Sequence, residues 1–89
     1  MRGEQLTDKV ESIEAGVIEL LARHVRADTK VTADTRIVGE LGLDSVAVLD
    51  FIQDVEDRFD LSIPLERVAE VQTIGELSVA IQTLKRAAR

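Results

Sequence analysis

Segment 40–46, with the sequence E-L-G-L-D-S-V, holds the residues best placed for chemistry. It lies where a loop marked by glycines passes into a helical pattern. Asp44 can cap that helix with its carboxylate, which leaves Ser45 at the first helical position with its hydroxyl group free. An Asp-Ser pair is also a common helix start, so the pair alone does not distinguish a functional serine from a simple helix terminus.

Other chemical groups are scarce in this chain. His24 is the only histidine, and it falls near the apolar stripe at the end of the first predicted helix. We therefore expect His24 to be a packed or capping side chain, and nothing in the sequence marks a serine or an aspartate as its partner. Carboxylates are plentiful, but a general-acid carboxylate needs an apolar pocket, and most of these lie on predicted solvent faces.

The residues needed to bind a metal ion or to form a phosphate-binding loop are also missing from the chain. The chain has no cysteine, which excludes disulfides, cysteine-ligated zinc and a thiol nucleophile, and one histidine cannot make a histidine-rich metal site. The acidic loops lack the calcium-binding pattern, and no G-K-[ST] sequence follows Gly39 or Gly42. We therefore predict a protein that is not an enzyme and holds no metal.

Helical periodicity defines the elements that position Ser45. Apolar residues on one face predict a first amphipathic helix over 6–25, with Thr7 or a neighbour as its cap. Segment 27–44 loses this period, and its side chains compete with helix formation. We expect a long ordered loop there, held to the core by four apolar residues: Val31, Ile37, Leu41 and Leu43.

The second helix is predicted from about Ser45 to Phe59. Its core face carries Val48, Ile52, Val55 and Phe59, with Leu49 and Phe51 at the two edges. Pro64 is placed to start a short helix through about Glu70 that buries Leu65 and Val68. A capping box of Thr73 and Glu76 begins the last helix.

These elements predict an all-α fold, a small four-helix bundle of three main helices and one short helix with a long first connection. The 89 residues suffice for a single domain over 1–89, with its core at about 6–86.

Charge narrows the classes of partner. Seventeen acidic and eleven basic residues give a net charge of −6, which argues against nucleic acid and anionic membranes and favours partners with basic patches. No apolar run follows the N-terminus and no stretch is long enough for a membrane span. We expect a cytoplasmic, monomeric protein without membrane insertion.

Several segments together resemble the acyl carrier protein family. Segment 40–46 is similar to its phosphopantetheine attachment motif, [DE]-L-G-x-D-S-[LIV]. Segment 31–35 resembles the loop before that motif, 55–64 resembles the E-x-x-F-x-[IL]-x-I-P signature, and 73–77 resembles the start of the family's last helix. The first helix matches in pattern only. The family's four-helix fold with a long first loop agrees with the helices predicted from periodicity.

The resemblance implies that Ser45 carries 4′-phosphopantetheine, delivered from coenzyme A by a phosphopantetheinyl transferase, with Asp44 as its capping and recognition neighbour. A phosphate suits a helix N-terminus, where unpaired N–H groups and the helix dipole meet it, and Gly42 lets the backbone approach closely. A thioester carrier needs a thiol, and this chain has none of its own. The thiol must therefore come from the arm.

The outward face of the second helix is the predicted docking surface for partner enzymes. Periodicity places Val46 opposite the core, an apolar residue among carboxylates that a partner contact explains better than burial does. From 37 to 66 there are eight acidic residues and one basic residue. The predicted docking residues are Val46, Asp50, Asp54 and Asp57, with Glu56 at the edge. Ala47 stands where the family often has an acidic or polar residue, which affects which enzymes recognise this carrier.

We expect an acyl chain to lie between the second helix and the short helix, near Val48, Ile52, Leu65 and Val68. The implied function is transport of acyl thioesters among synthases, transferases or ligases of fatty acid, polyketide or specialised lipid synthesis. Because Met1 begins the sequence, we expect a discrete carrier. Two alternatives stay open: an aminoacyl or peptidyl carrier, and an acidic helical interaction module that is never modified.

Overall fold

The computed structural model describes residues 9–26, 28–39 and 41–87. Within these ranges the chain forms four helices and no strand: α1 (Val10–Leu21), α2 (Ser45–Phe59), α3 (Leu65–Glu70) and α4 (Ile74–Ala87). The predicted all-α, four-helix class with a long first connection is confirmed. Among the described residues, no helix has the length and apolar character needed to cross a bilayer.

Helix α1 packs against α4 and α2 through an apolar stripe at helical spacing. The helix ends at Leu21, four residues before the predicted end at 25, because Arg23 N–H and His24 N–H bond the carbonyls three residues back and tighten the chain into turns. The predicted first residues, including Leu6 and the proposed cap Thr7, lie outside the described residues.

Helix α2 has the predicted bounds, and Phe51, Ile52 and Val55 are buried in its core face. Leu49, expected at the edge of that face, is instead 52% exposed. The chain leaves α2 at Asp60, whose left-handed conformation (φ 56°) an aspartate tolerates better than most residues.

The short helix α3 differs from its prediction. Pro64 lies at its N-cap and accepts the first N–H bonds, from Arg67 and Val68. No residue of α3 is buried; Val68 is half-buried, and Leu65 is 70% exposed rather than buried as expected. Leu65 is the first residue of α3, and only Val68, one turn later, packs against the core.

Helix α4 begins with the predicted capping box. Glu76 N–H donates to Thr73 Oγ1 at 3.1 Å, and Thr73 N–H donates to Glu76 Oε1 at 3.2 Å. Two further N–H groups of the first turn, on Ile74 and Gly75, donate to Thr35 and Ala33 carbonyls of the long loop. A Cβ on Gly75 would lie 3.2 Å from the Ala33 oxygen, so glycine permits this close approach.

The buried core is formed by residues of the three long helices and by two loop residues. Ile37, from the long loop, is 4% exposed, and Val31, Leu41 and Leu43 pack against the core from the same loop, as predicted. The other loop residue, Ile63, precedes α3. The remaining core residues are Ile13, Val17, Leu20, Leu21, Phe51, Ile52, Val55, Ile74, Leu77 and Ile81.

Candidate functional site

The N-terminus of α2 presents Ser45 to solvent. Asp44 is the N-cap in an extended conformation, and its Oδ1 accepts the N–H of Ala47 at 2.8 Å. The Asp44 carbonyl accepts the N–H of Val48 as the first bond of the helix. Ser45 is therefore the first helical residue, exposed, and its hydroxyl makes no hydrogen bond within the part of the chain that the structure describes.

The loop reaches this helix through Gly42, which has φ +71°. This left-handed conformation favours glycine, and no atom lies within 4 Å of the position that a Cβ would occupy. The space beside Gly42, three residues before Ser45, is thus open. The first turn carries no acidic residue of its own beyond the cap, so the unpaired N–H groups there are available to an anion. Glu40, the first residue of the motif, lies outside the described residues.

The outward face of α2 carries exposed residues and also residues that make contacts within the fold. Val46 is 66% exposed, and Asp50 and Asp57 are exposed on the same face. Asp54 is half-buried, and its Oδ2 lies 2.8 Å from His24 Nε2. Glu56 is also half-buried, and its Oε2 accepts the N–H of Ile63 at 2.7 Å.

Asp54 and Glu56 therefore each make a contact within the fold and are less exposed than the sequence analysis expected, while their part in docking stays a prediction. Asp54 ties the end of α1 to α2 through His24, whose ring also meets Phe51 edge-on with centroids 6.1 Å apart. Glu56 holds the turn that leads into α3. His24 is packed, as expected, but its aspartate partner was missed because the two residues are 30 positions apart with no shared motif.

A cleft of about 420 Å³ opens between the long loop, α2 and the α3–α4 region. Its lining includes Val48, Ile52 and Val68, three of the four residues expected to surround an acyl chain. Leu65 is not in the lining, consistent with its exposure. Loop residues 36–38, residues 69, 71 and 72, and Leu77 complete the cleft. Its volume is within the range of about 300–1,000 Å³ common for ligand pockets.

The comparisons with known proteins identify this arrangement. A family model described as "Phosphopantetheine attachment site" matches residues 15–81. A Caulobacter vibrioides protein named "Probable acyl carrier protein" is 37% identical over 86 residues, covering 96% of this chain and 95% of the relative. The chain belongs to the acyl carrier protein family.

A further relative and a solved structure are also similar to this chain. Acyl carrier protein MbtL of Mycobacterium sp. (strain MCS) is 34% identical over 77 residues, covering 85% of this chain and 86% of the relative. A solved structure described as "a putative acyl carrier protein(Rv0033) from Mycobacterium tuberculosis" is 31% identical to this chain, with a TM-score of 0.68. The match covers 78% of this chain and 96% of the chain in that structure.

As an acyl carrier protein, the chain bears a covalently attached 4′-phosphopantetheine group and interacts with a phosphopantetheinyl transferase and with acyl-processing enzymes. The N-terminus of α2 fits such a group on three counts: an exposed hydroxyl, open space at Gly42, and first-turn N–H groups that suit a phosphate. When bound, the group supplies the thiol that the chain lacks.

Apart from the residues that line the cleft, the sequence-predicted site residues that are exposed lie in two places on α2. Asp44 and Ser45 meet at the start of α2, and Val46, Asp50 and Asp57 continue along its exposed face. The half-exposed Leu49 joins this face and was missed, because the helical period alone placed it at the core edge. Among the described residues, no cluster of three His, Cys, Asp or Glu side chains could hold a metal ion.

Proposed function

We propose that Ser45 carries the phosphopantetheine arm as a phosphodiester and that the chain delivers acyl thioesters to biosynthetic enzymes in the cytoplasm. The observation that carries the proposal is the exposed Ser45 hydroxyl at the first position of a helix capped by Asp44. There the phosphate gains from the N–H groups and dipole of α2, while Asp44 retains the cap. The protein itself performs no catalytic step and serves as a substrate for other enzymes.

The test is intact mass after incubation with coenzyme A and a phosphopantetheinyl transferase. Wild type should gain the mass of phosphopantetheine, with release of adenosine bisphosphate, and Ser45→Ala should gain nothing. Ser62→Ala is the matched control, because Ser62 is an exposed serine in the loop before α3 and should leave modification unchanged. A Ser45→Ala protein that still gains the mass places the arm elsewhere.

We further propose that partner enzymes dock on Val46, Asp50 and Asp57, with the exposed Leu49 adding to the apolar contact. An exposed apolar anchor with a charged rim is typical of small interfaces. Each exposed ion pair contributes only about 0.2–1 kcal/mol, but several together raise the rate of encounter with a basic partner. Asp54 and Glu56 support this face indirectly, by fixing α2 to α1 and to the turn before α3.

Docking is tested by the rate of phosphopantetheinylation at low and high salt. Asp50→Lys with Asp57→Lys should slow the reaction at low salt, with a smaller effect at high salt because encounter is screened. Glu11→Lys with Glu14→Lys on α1 changes the net charge equally and should have little effect.

Val46→Asp removes the apolar anchor, so its defect should persist at high salt. A double reversal on α2 that is modified as fast as wild type at low salt contradicts the proposed docking face.

The pathway we propose is fatty acid, polyketide or specialised lipid synthesis. The acidic exposed face of α2 and the names of the relatives favour acyl over aminoacyl or peptidyl cargo. Mass spectrometry of the protein purified from its own host tests this choice, because it reports the arm and its cargo together. Aminoacyl or peptidyl thioesters on Ser45 would overturn the acyl assignment, and an unmodified protein would favour the interaction module.

A further inference from the structure

The proposed docking face of α2 is bordered by the end of α1. A helical turn takes 3.6 residues, so Asp50, Asp54 and Arg58 follow one another round α2 at intervals of about 40°. Asp50 is exposed on the docking face. Asp54 Oδ2 lies 2.8 Å from His24 Nε2, and Arg58 Nη2 donates to Glu19 Oε1 at 2.6 Å. The side of α2 beyond Asp50 is therefore the side that contacts α1.

This border carries an excess of positive charge. The pKa of the Glu19 carboxyl is lowered by its hydrogen bond and charge attraction with Arg58 and also by the charge of Arg23, so two arginines share one carboxylate. Arg23 lies just past the end of α1 and is exposed. Its side chain makes no hydrogen bond within the part of the chain that the structure describes. We call Arg23 and Arg58 the basic edge of the docking face.

A basic edge works against simple attraction of a basic partner. The chain has a net charge of −6, and a uniformly acidic surface would steer a basic partner more strongly than one interrupted by arginines. The fold explains Arg58, which bonds Glu19, but it leaves Arg23 without a buried contact. The dipole of α1 favours a cation at this end of the helix, and that effect is independent of any partner.

A surface that changes from acidic to basic across one helix is complementary to a partner that changes from basic to acidic. Such a pattern fixes orientation, because a rotated or shifted partner brings like charges together. We infer that the phosphopantetheinyl transferase has an acidic side chain beside its basic docking patch, and that this side chain meets Arg23 when the carrier docks. The inference rests on the proposed docking face and adds the orientation of the transferase on that face.

The sign of the effect of one charge reversal tests this inference. Arg23→Glu makes the carrier more acidic, so a uniformly basic transferase should modify it faster than wild type at low salt. Our inference predicts the opposite. The rate of phosphopantetheinylation by the host transferase should fall about two- to fivefold at low salt, the range for one exposed ion pair. The difference should shrink at high salt.

Arg86→Glu is the matched control, because Arg86 is an exposed arginine of α4 and its reversal changes the net charge equally. Arg86→Glu should be modified at least as fast as wild type, and Arg23→Lys, which keeps the charge, should match wild type. Arg23→Gln removes the charge without placing a second carboxylate beside Glu19, so it should show a smaller slowing even if Arg23→Glu is unstable. Circular dichroism and the melting temperature of each variant identify any loss of folding.

An Arg23→Glu protein that is folded and modified as fast as wild type, or faster, overturns the inference. A lower melting temperature with an unchanged rate would assign Arg23 to the dipole of α1 alone and would also overturn it. Equal slowing by Arg23→Glu and Arg86→Glu would show an effect of total charge rather than of this edge. The docking face itself fails separately, if Asp50→Lys with Asp57→Lys leaves the rate unchanged at low salt.

Discussion

Asp44 has two proposed roles, capping α2 and taking part in recognition next to Ser45, and substitutions can test them separately. The Asp44 carboxylate accepts one N–H bond, from Ala47 at 2.8 Å, and the side chain is exposed, so its removal leaves no cavity. Loss of such a cap typically costs about 1 kcal/mol, with a range of ~0.5–2 kcal/mol. Asparagine caps nearly as well as aspartate, so Asp44→Asn should cost only the favourable charge–dipole interaction, about 0.3–1 kcal/mol at most.

We therefore predict that Asp44→Ala lowers the free energy of unfolding by about 1 kcal/mol, equivalent to ~4–8 °C in melting temperature for a domain of this size. Asp44→Asn should remain closer to wild type. Both variants should be phosphopantetheinylated more slowly, because both lose the carboxylate next to Ser45. Urea unfolding followed by circular dichroism measures the first effect, and intact mass against time measures the second.

Asp50→Ala is the control for stability, since Asp50 is an exposed carboxylate of the same helix with no capping bond, and it should change stability by less than about 0.5 kcal/mol. An Asp44→Ala protein as stable as wild type would refute the capping role. An Asp44→Asn protein that is modified at the wild-type rate would show that the charge of Asp44 does not contribute to recognition.

Two further predictions concern the contacts that tie α2 to α1. The Arg58 guanidinium donates to Glu19 at 2.6 Å and holds the pKa of the Glu19 carboxyl below its usual value. The contribution of this contact to stability is therefore present above the pKa of Glu19 in the unfolded chain, and it is lost as the pH falls through the lowered pKa of the folded protein. Glu19→Gln should therefore be less stable than wild type at neutral pH, with a gap that closes in acid and shrinks in salt; a gap that persists in acid would contradict this. For His24 and Asp54, a double-mutant cycle to alanine should give a coupling of about 1 kcal/mol in urea unfolding. Additive single effects would mean that their contact does not stabilise the fold.

Local sequence patterns were sufficient to predict most of the secondary structure around Ser45. The bounds of α2, the capping box before α4 and the cap at Asp44 each depend on residues within four positions of one another, so periodicity and capping chemistry predict them. The same holds for the exposure of Ser45 and Val46, which follows from their places on α2. The family also follows from short motifs in order along the chain, and the family match bears it out.

The end of α1 and the burial of α3 could not be predicted in this way. Periodicity extended α1 through 25, whereas tight turns close it at Leu21. Leu65 has the hydrophobicity of a core residue and lies on nearly the same side of α3 as Val68, three positions later, yet Leu65 is exposed while Val68 packs against the core. How deeply each of them reaches depends on the turn before α3, which Glu56 holds through a bond to Ile63.

The sequence by itself determined the order of the helices, the bounds of α2, the caps of α2 and α4 and the serine at the head of α2, because these depend on neighbouring residues and on a motif of seven positions. Only the tertiary structure decided which carboxylates remain free for partners. Asp54 pairs with His24 across 30 positions, and Arg36 meets Gln72 across 36. Such contacts form when the long loop and the helices pack around a shared core, and no local pattern encodes which distant side chains that packing brings together.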